Sequence, residues 1–181
     1  MQYFDGRPPQ ADGRLPRELR VYDFLDSIGI AYGRVDHAPA ETMEDCLAID
    51  EVLGTKMCKN LFLCNRQQTA FYLLLMPADK PFKTKELSAQ IHSARLSFAG
   101  GDHMLAYLDI QPGAVSVLGL MNDADNRVTL LIDKDLLQDE YIGCHPCVNT
   151  TSLKLPTKDI LEVFLPAVHH DYTVVELFGK P

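Results

Sequence analysis

Residues 59–76 constrain the fold more than any other part of the chain. KNLFLC (59–64) and TAFYLLLM (69–76) are strongly apolar runs of strand length, and the NRQQ between them is polar. The pattern predicts a β-hairpin. Strands this apolar belong at the centre of a sheet, so the rest of the chain must supply its cover.

The flanking segments alternate between helical and extended spacing. Leu15, Leu19, Tyr22, Leu25 and Ile28 recur every three or four residues and predict a helix that Gly29 stops. Residues 30–35 predict a short strand, and Thr42 and Asp45 have capping-box spacing at the start of a helix running toward Gly54. Beyond the hairpin Pro77 and Pro81 break the chain, residues 84–91 predict a helix, and 95–99 a strand. Asp102 is placed to cap a helix carrying Met104, Leu105 and Leu108. Residues 113–120 are small and centred on a glycine, where a backbone can approach a ligand closely. Residues 128–133 predict a strand, 157–165 a helix stopped by Pro166, and 173–177 a last strand. Helices and strands interleave without a regular βαβ rhythm, which gives an α+β class with a mixed, mostly antiparallel central sheet. Residues 1–13 carry no periodicity and form an N-terminal arm to a single domain over 14–181.

Composition narrows the function. With 181 residues, 46% of them hydrophobic, one compact domain is expected. No apolar run approaches the roughly 20 residues of a membrane span, and residues 1–20 lack a signal-peptide core, so a cytoplasmic protein is expected. Five cysteines, an odd count, suit reduced thiols better than a disulfide framework. A net charge of −8 argues against broad affinity for nucleic acid, DNA included. The middle of the chain is nonetheless basic, with Lys56, Lys59, Arg66, Lys80, Lys83, Lys85 and Arg95 supplying seven of the 17 basic residues. That cluster is either a local basic site or a solvated face.

The densest polar chemistry lies in YIGCHPCVNTTSLKL (141–155), where His145, Asn149, Thr150 and Thr151 fall within seven positions. Cys144 and Cys147 form a CxxC, which elsewhere reads as a redox dithiol or half a zinc site. The redox motif wants a long helix after it, and Val-Asn-Thr-Thr-Ser is poor helix sequence. Zinc wants a second ligand pair, for which Cys58 and Cys64 inside an apolar run are poor material. A loop with two buried cysteines and a satisfied histidine is the plain alternative. Lys59 stands at the start of an apolar strand, with a stem suited to burial and an ammonium able to clamp a phosphate or carbonyl; an ordinary strand-end lysine is the competing reading.

Taken together, FLDSIGIAYGRVDHAPAETMEDC, CKNLFL, KPFKTKELS, LDIQPGAVSVLGLMND and GCHPCVNTTSLKL resemble, in unbroken order from about residue 19 to 165, the YbaK and prolyl-tRNA synthetase-associated editing family. The likeness is strongest to its free-standing branch, which deacylates alanyl-tRNA(Pro). The resemblance implies a partly barrel-like sheet flanked by helices, no cofactor or metal, the 3′ end of mischarged tRNA(Pro) as partner and prolyl-tRNA synthetase as a further one. By the same resemblance Lys59 falls on the family's functional lysine, Asn60 on the asparagine after it, and His145 and Asn149 on its HPxxN segment. Gly113 falls on the glycine of a GxxxP loop, in which Val117 replaces the proline. Lys59 and Gly113 are thereby expected at the chemistry, Asn60, His145, Asn149, Ser116 and Val117 at the substrate, and Lys80, Lys83, Lys85 and Arg95 at the tRNA.

An aminoacyl ester is already activated, so its hydrolysis needs a positioned water, donors for the oxyanion and a fixed substrate. The expected activity is therefore trans-editing deacylation. A module that binds aminoacyl-tRNA or a synthetase without hydrolysis, and a CxxC redox protein, are the alternatives.

Overall fold

The computed structural model describes residues 1–179. Its strands are β1 Tyr3–Asp5, β2 Gly33–Asp36, β3 Lys59–Asn65, β4 Phe71–Met76, β5 Leu96–Phe98, β6 Val128–Asp133, β7 Tyr141–Cys144, β8 Thr151–Pro156 and β9 Tyr172–Val175. The helices are α1 Pro16–Ser27, α2 Met43–Leu53, α3 Thr84–Gln90 and α4 Gly101–Leu108. A last helix, α5, starts at Thr157–Asp159, passes through a π turn at Ile160–Phe164 and finishes as Leu165–Ala167. The proline expected to stop it, Pro166, sits within this final turn.

The expected hairpin β3–β4 forms in register, Lys59 opposite Met76 and Cys64 opposite Phe71. It is the middle of a five-stranded sheet ordered β5-β3-β4-β6-β9, antiparallel on the β5 side and parallel from β4 to β9. Alternate residues of β4 and β6 serve two cores: Leu73, Leu75, Leu130 and Ile132 belong to the larger, Leu74, Met76 and Leu131 to a smaller one with Leu87 of α3. That is why FYLLLM reads as a continuous apolar run, since neither face is left for water. Each fully buried leucine contributes about 1.5–3 kcal/mol.

The fold is α+β as expected, but its strands do not close into a barrel. A second, four-stranded antiparallel sheet runs β1-β2-β8-β7. Its Ile142, Leu153 and Leu155 enter the larger core opposite β3 and β4. The two sheets touch through a bridge between Met57 and Gly143. Tyr3–Asp5, within the N-terminal arm, supplies the outer strand on β2.

Local signals explain the helix ends. The Thr42 hydroxyl accepts from Asp45 N–H while the Asp45 carboxylate accepts from Thr42 N–H, which completes the capping box of α2. α4 begins at Gly100 without a side-chain cap, and Asp102 lies inside its first turn, where a carboxylate still complements the helix N-terminus.

Candidate active site

Over residues 56–65, which lead into and form β3, the edge facing away from β4 changes partners along its length. Gly143 N–H donates to Lys56 C=O at 3.3 Å and Cys58 N–H donates to Gly143 C=O at 3.0 Å, so β7 covers that edge first. Farther along, Ala99 N–H donates to Phe62 C=O at 2.9 Å and β5 takes over. Backbone groups of successive residues face opposite edges of a strand. Asn60 N–H and C=O therefore face the edge where neither β7 nor β5 reaches. Its side chain shares a face with Cys58 and Phe62; Nδ2 donates to the Cys58 carbonyl at 3.3 Å and to its Sγ at 3.2 Å. Oδ1 is buried and has no hydrogen-bond partner among the described residues. A buried acceptor left without a donor costs about 1–3 kcal/mol.

Several loops border the gap. The Cys144 side chain lies near Cys58 and Ser116. His145 follows, its Nδ1 donating to Thr151 C=O at 2.8 Å, which leaves Nε2 with the lone pair in the neutral ring. Burial holds this imidazole below its ordinary value, the bond to Thr151 opposes the shift, and the neighbouring His37 adds to it. The His37 and His145 ring centroids are 6.3 Å apart; His37 Nδ1 lies 2.8 Å from Ala38 C=O and Nε2 2.8 Å from Ser152 Oγ. Gly113 adopts φ +94°, and a Cβ built there would come within 3.8 Å of Asn149 Nδ2. Only glycine takes that backbone readily. Ala114 N–H is engaged by Gln111 C=O at 3.2 Å, while Gly113 N–H has no backbone partner among the described residues. Pro112 packs at Gly101, which brings the start of α4 to the same rim.

Gly113 approaches Asn149, His37 stands beside His145, and Asn60 bonds Cys58, whose N–H meets Gly143 just before the His145 segment. Sequence reasoning passed over His37 although HAPA placed a histidine and a proline in one loop. Other expectations need correction. Ser116 and Val117 are both 0% exposed; the Ser116 hydroxyl accepts from Leu118 N–H, and Val117 turns into the larger core. They back the site wall and do not present a surface to substrate. The Lys80 ammonium pairs with Asp133 at 2.7 Å and Asp135 at 2.8 Å, so its charge is compensated within the protein. Lys83, Lys85 and Arg95 are exposed.

Lys59, one residue from Asn60, projects from the opposite face of β3. Its Nζ donates to Lys80 C=O at 2.7 Å, and it lines a cleft with Leu61, Phe82, Lys83, Lys85 and Phe98. The ammonium thus lies on the opposite face of β3 from the Asn60 side chain.

The CxxC thiols have the wrong electrostatics for redox chemistry. Burial pushes the Cys147 thiol up to about 12 and Cys144 well above its ordinary value, whereas a reactive dithiol is held low. Cys58 and Cys64 share a face of β3 but sit six residues apart, about 20 Å along a strand, too far to share an ion.

The profile of the family described as the aminoacyl-tRNA editing domain matches residues 37–163, which hold β3, the Gly113 loop and the His145 segment. The chain is 33% identical over 153 residues to the prolyl-tRNA editing protein ProX of Acetoanaerobium sticklandii, covering 84% of this chain and 93% of that one. It is 28% identical over 159 residues to the prolyl-tRNA synthetase associated domain-containing protein 1 of Danio rerio, covering 86% and 85%. In fold it is similar to a solved structure described as a candidate trans-editing enzyme for prolyl tRNA synthetase, with TM-score 0.68 at 14% identity over 92% of this chain and 99% of that one.

Proposed function

We propose, from the premise that this chain belongs to the aminoacyl-tRNA editing domain family and is an aminoacyl-tRNA hydrolase, that its substrate is mischarged tRNA(Pro) and foremost alanyl-tRNA(Pro). The ProX-like relative supports the tRNA. Support for the amino-acid site comes from one observation above the others: Asn60 Oδ1, buried without a donor at an open strand edge.

The α-ammonium of an aminoacyl ester is the donor that oxygen lacks. With the ammonium on Asn60, the ester carbonyl lies toward the rim, where the free Gly113 N–H is an oxyanion donor. Lys59, on the other side of the edge, holds the terminal phosphate or ester region. His145 and Asn149 form the pocket wall, backed by Ser116 and Val117. No strong side-chain nucleophile is needed, because water attacks an activated ester and the tRNA's own hydroxyl assists, as the family resemblance implies. A wall packed this closely suits a small side chain. A proline pocket on the synthetase cannot reject alanine strongly by binding alone, and a second, smaller sieve removes the error. This makes prolyl-tRNA synthetase the enzyme whose products the protein inspects.

The test is a deacylation panel of Ala, Pro, Ser, Cys and Thr esters on tRNA(Pro) and tRNA(Ala). Multiple-turnover release of alanine from tRNA(Pro), ahead of the other esters, is expected. Retention of aminoacyl-tRNA in a stoichiometric complex without release would replace the deacylase by a binding module.

A further inference from the structure

The cleft on the far face of β3 has a composition that the amino-acid pocket does not explain. Leu61, Phe82 and Phe98 line it together with Lys59, Lys83 and Lys85. The Phe82 and Phe98 rings meet edge to face, centroids 6.1 Å apart, and Phe98 is 61% exposed on a three-residue edge strand. Lys83 and Lys85 make no ion pair among the described residues, in contrast to Lys80, Lys134 and Lys158. Lys59 has spent one of its three N–H groups, on Lys80 C=O. The nearest acid of α3, Glu86, is turned away to accept from Phe178 and Gly179 N–H. In a chain of net charge −8 this is a local positive surface with an accessible aromatic face at its centre.

Aromatic faces interleaved with unpaired cations are what a single-stranded polynucleotide requires: a ring under a base and ammonium groups on the flanking phosphates. A protein partner would need acidic side chains set around an apolar patch to match the same surface, whereas a single strand carries a phosphate beside every base. We propose that the cleft is a stacking site for the unpaired 3′-terminal nucleotides of the tRNA, with Phe98 beneath a base and Lys83 and Lys85 against the adjoining phosphates. The inference rests on the deacylase reading, which sets a nucleotide end at this edge. Connection to the pocket follows from β3 itself: Lys59 faces the cleft, Asn60 faces the pocket, and the edge between them is open, so a nucleotide end passing over it reaches both.

The experiment measures binding of a fluorescent single-stranded ribonucleotide ending in CCA, and of the same oligonucleotide with abasic riboses at the two cytidines, by anisotropy. Phe98→Ala is expected to weaken the intact oligonucleotide about 5- to 10-fold, the lower part of what base–aromatic stacking contributes, and to leave the abasic one unchanged. Phe98→Tyr is expected to restore the difference. The Lys83→Ala/Lys85→Ala double variant is expected to weaken both oligonucleotides alike and to flatten the salt dependence. Equal binding by wild type and Phe98→Ala, or equal loss on both oligonucleotides, would overturn the proposal. So would a Phe98→Ala protein that keeps its RNA affinity but no longer associates with prolyl-tRNA synthetase, which would make the cleft a protein-docking surface. Wild-type turnover is followed in parallel: if it releases no amino acid the deacylase reading fails, whereas turnover with an indifferent Phe98→Ala removes the stacking site alone.

Discussion

Replacing Asn60 by alanine separates a ligand-binding asparagine from a structural one. In the unliganded protein its Oδ1 is buried without a donor, a cost of about 1–3 kcal/mol that the substitution removes. Against this the variant loses the Nδ2 bonds to Cys58, 3.3 Å to oxygen and 3.2 Å to sulfur. Bonds of that kind contribute about 0.5–1.5 kcal/mol net. The space left behind adjoins an open strand edge, where water can enter. The two terms nearly cancel, so folding stability is expected to stay within about 1 kcal/mol of wild type. Binding is different. A hydrogen bond from a charged ammonium is worth about 1.5–3 kcal/mol, so kcat/KM for alanyl-tRNA(Pro) is expected to fall roughly 10- to 150-fold. Urea unfolding and steady-state deacylation on the same preparations supply both numbers. A variant destabilised by more than about 2 kcal/mol, with activity falling only as its folded fraction, would refute the reasoning; so would full activity.

Because burial lowers the His145 imidazole from 6.5, the unfolded chain takes up its proton first. Stability is therefore expected to drop as pH falls below 6.5, until the folded ring also protonates. His145→Gln should flatten that part of the urea-derived curve; an unchanged slope would exonerate the residue. His145→Ala is expected to retain measurable deacylation while shifting the preference between alanine and larger esters, and unchanged selectivity with a lost acidic limb in the rate profile would make His145 a base. Lys80→Ala strands the buried Asp133 carboxylate and is expected to lose about 2–3 kcal/mol, less than a fully buried pair because Asp133 still accepts from Asp135 N–H; calorimetry checks it, with Lys83→Ala as the near-neutral comparison. Iodoacetamide is expected to modify the exposed Cys46 before Cys144 or Cys147 and to leave turnover intact; rapid labelling of the CxxC, followed by mass spectrometry, would revive a redox role.

What could be read from the sequence was what local spacing controls. The capping box at Thr42 and Asp45, the hairpin and the segment around His145 all follow from residues within a few positions of one another. The division into two sheets does not, because it depends on β2 pairing with β8 across more than a hundred residues and no local signal announces that register. β1 was hidden for a related reason: three residues are too few to show alternation, and only β2 gives them a partner. At the candidate site, Gly113 and Asn149 were both singled out from the sequence and lie close together. Burial decided the rest, since nothing in GAVSVLGL distinguishes a residue that meets the substrate from one packed behind it. The ion pairs of Lys80 were not legible either, because Asp133 and Asp135 lie more than fifty residues away.

The join between β2 and β8 bears on when the protein becomes competent during synthesis. Val35 pairs with Ser152, and β9, at the end of the five-stranded sheet, pairs with β6 only from Tyr172 onward. Closing contacts so distant along the chain is slow and comes late. A nascent chain that already carries Asn60 and Gly113 still lacks the four-stranded sheet until β8 leaves the ribosome and docks on β2. Fragments ending before residue 151 are therefore expected to expose the apolar face of β3 and β4 without hydrolysing anything, a hazard for aggregation that the complete chain escapes by fastening its first and last quarters into one sheet.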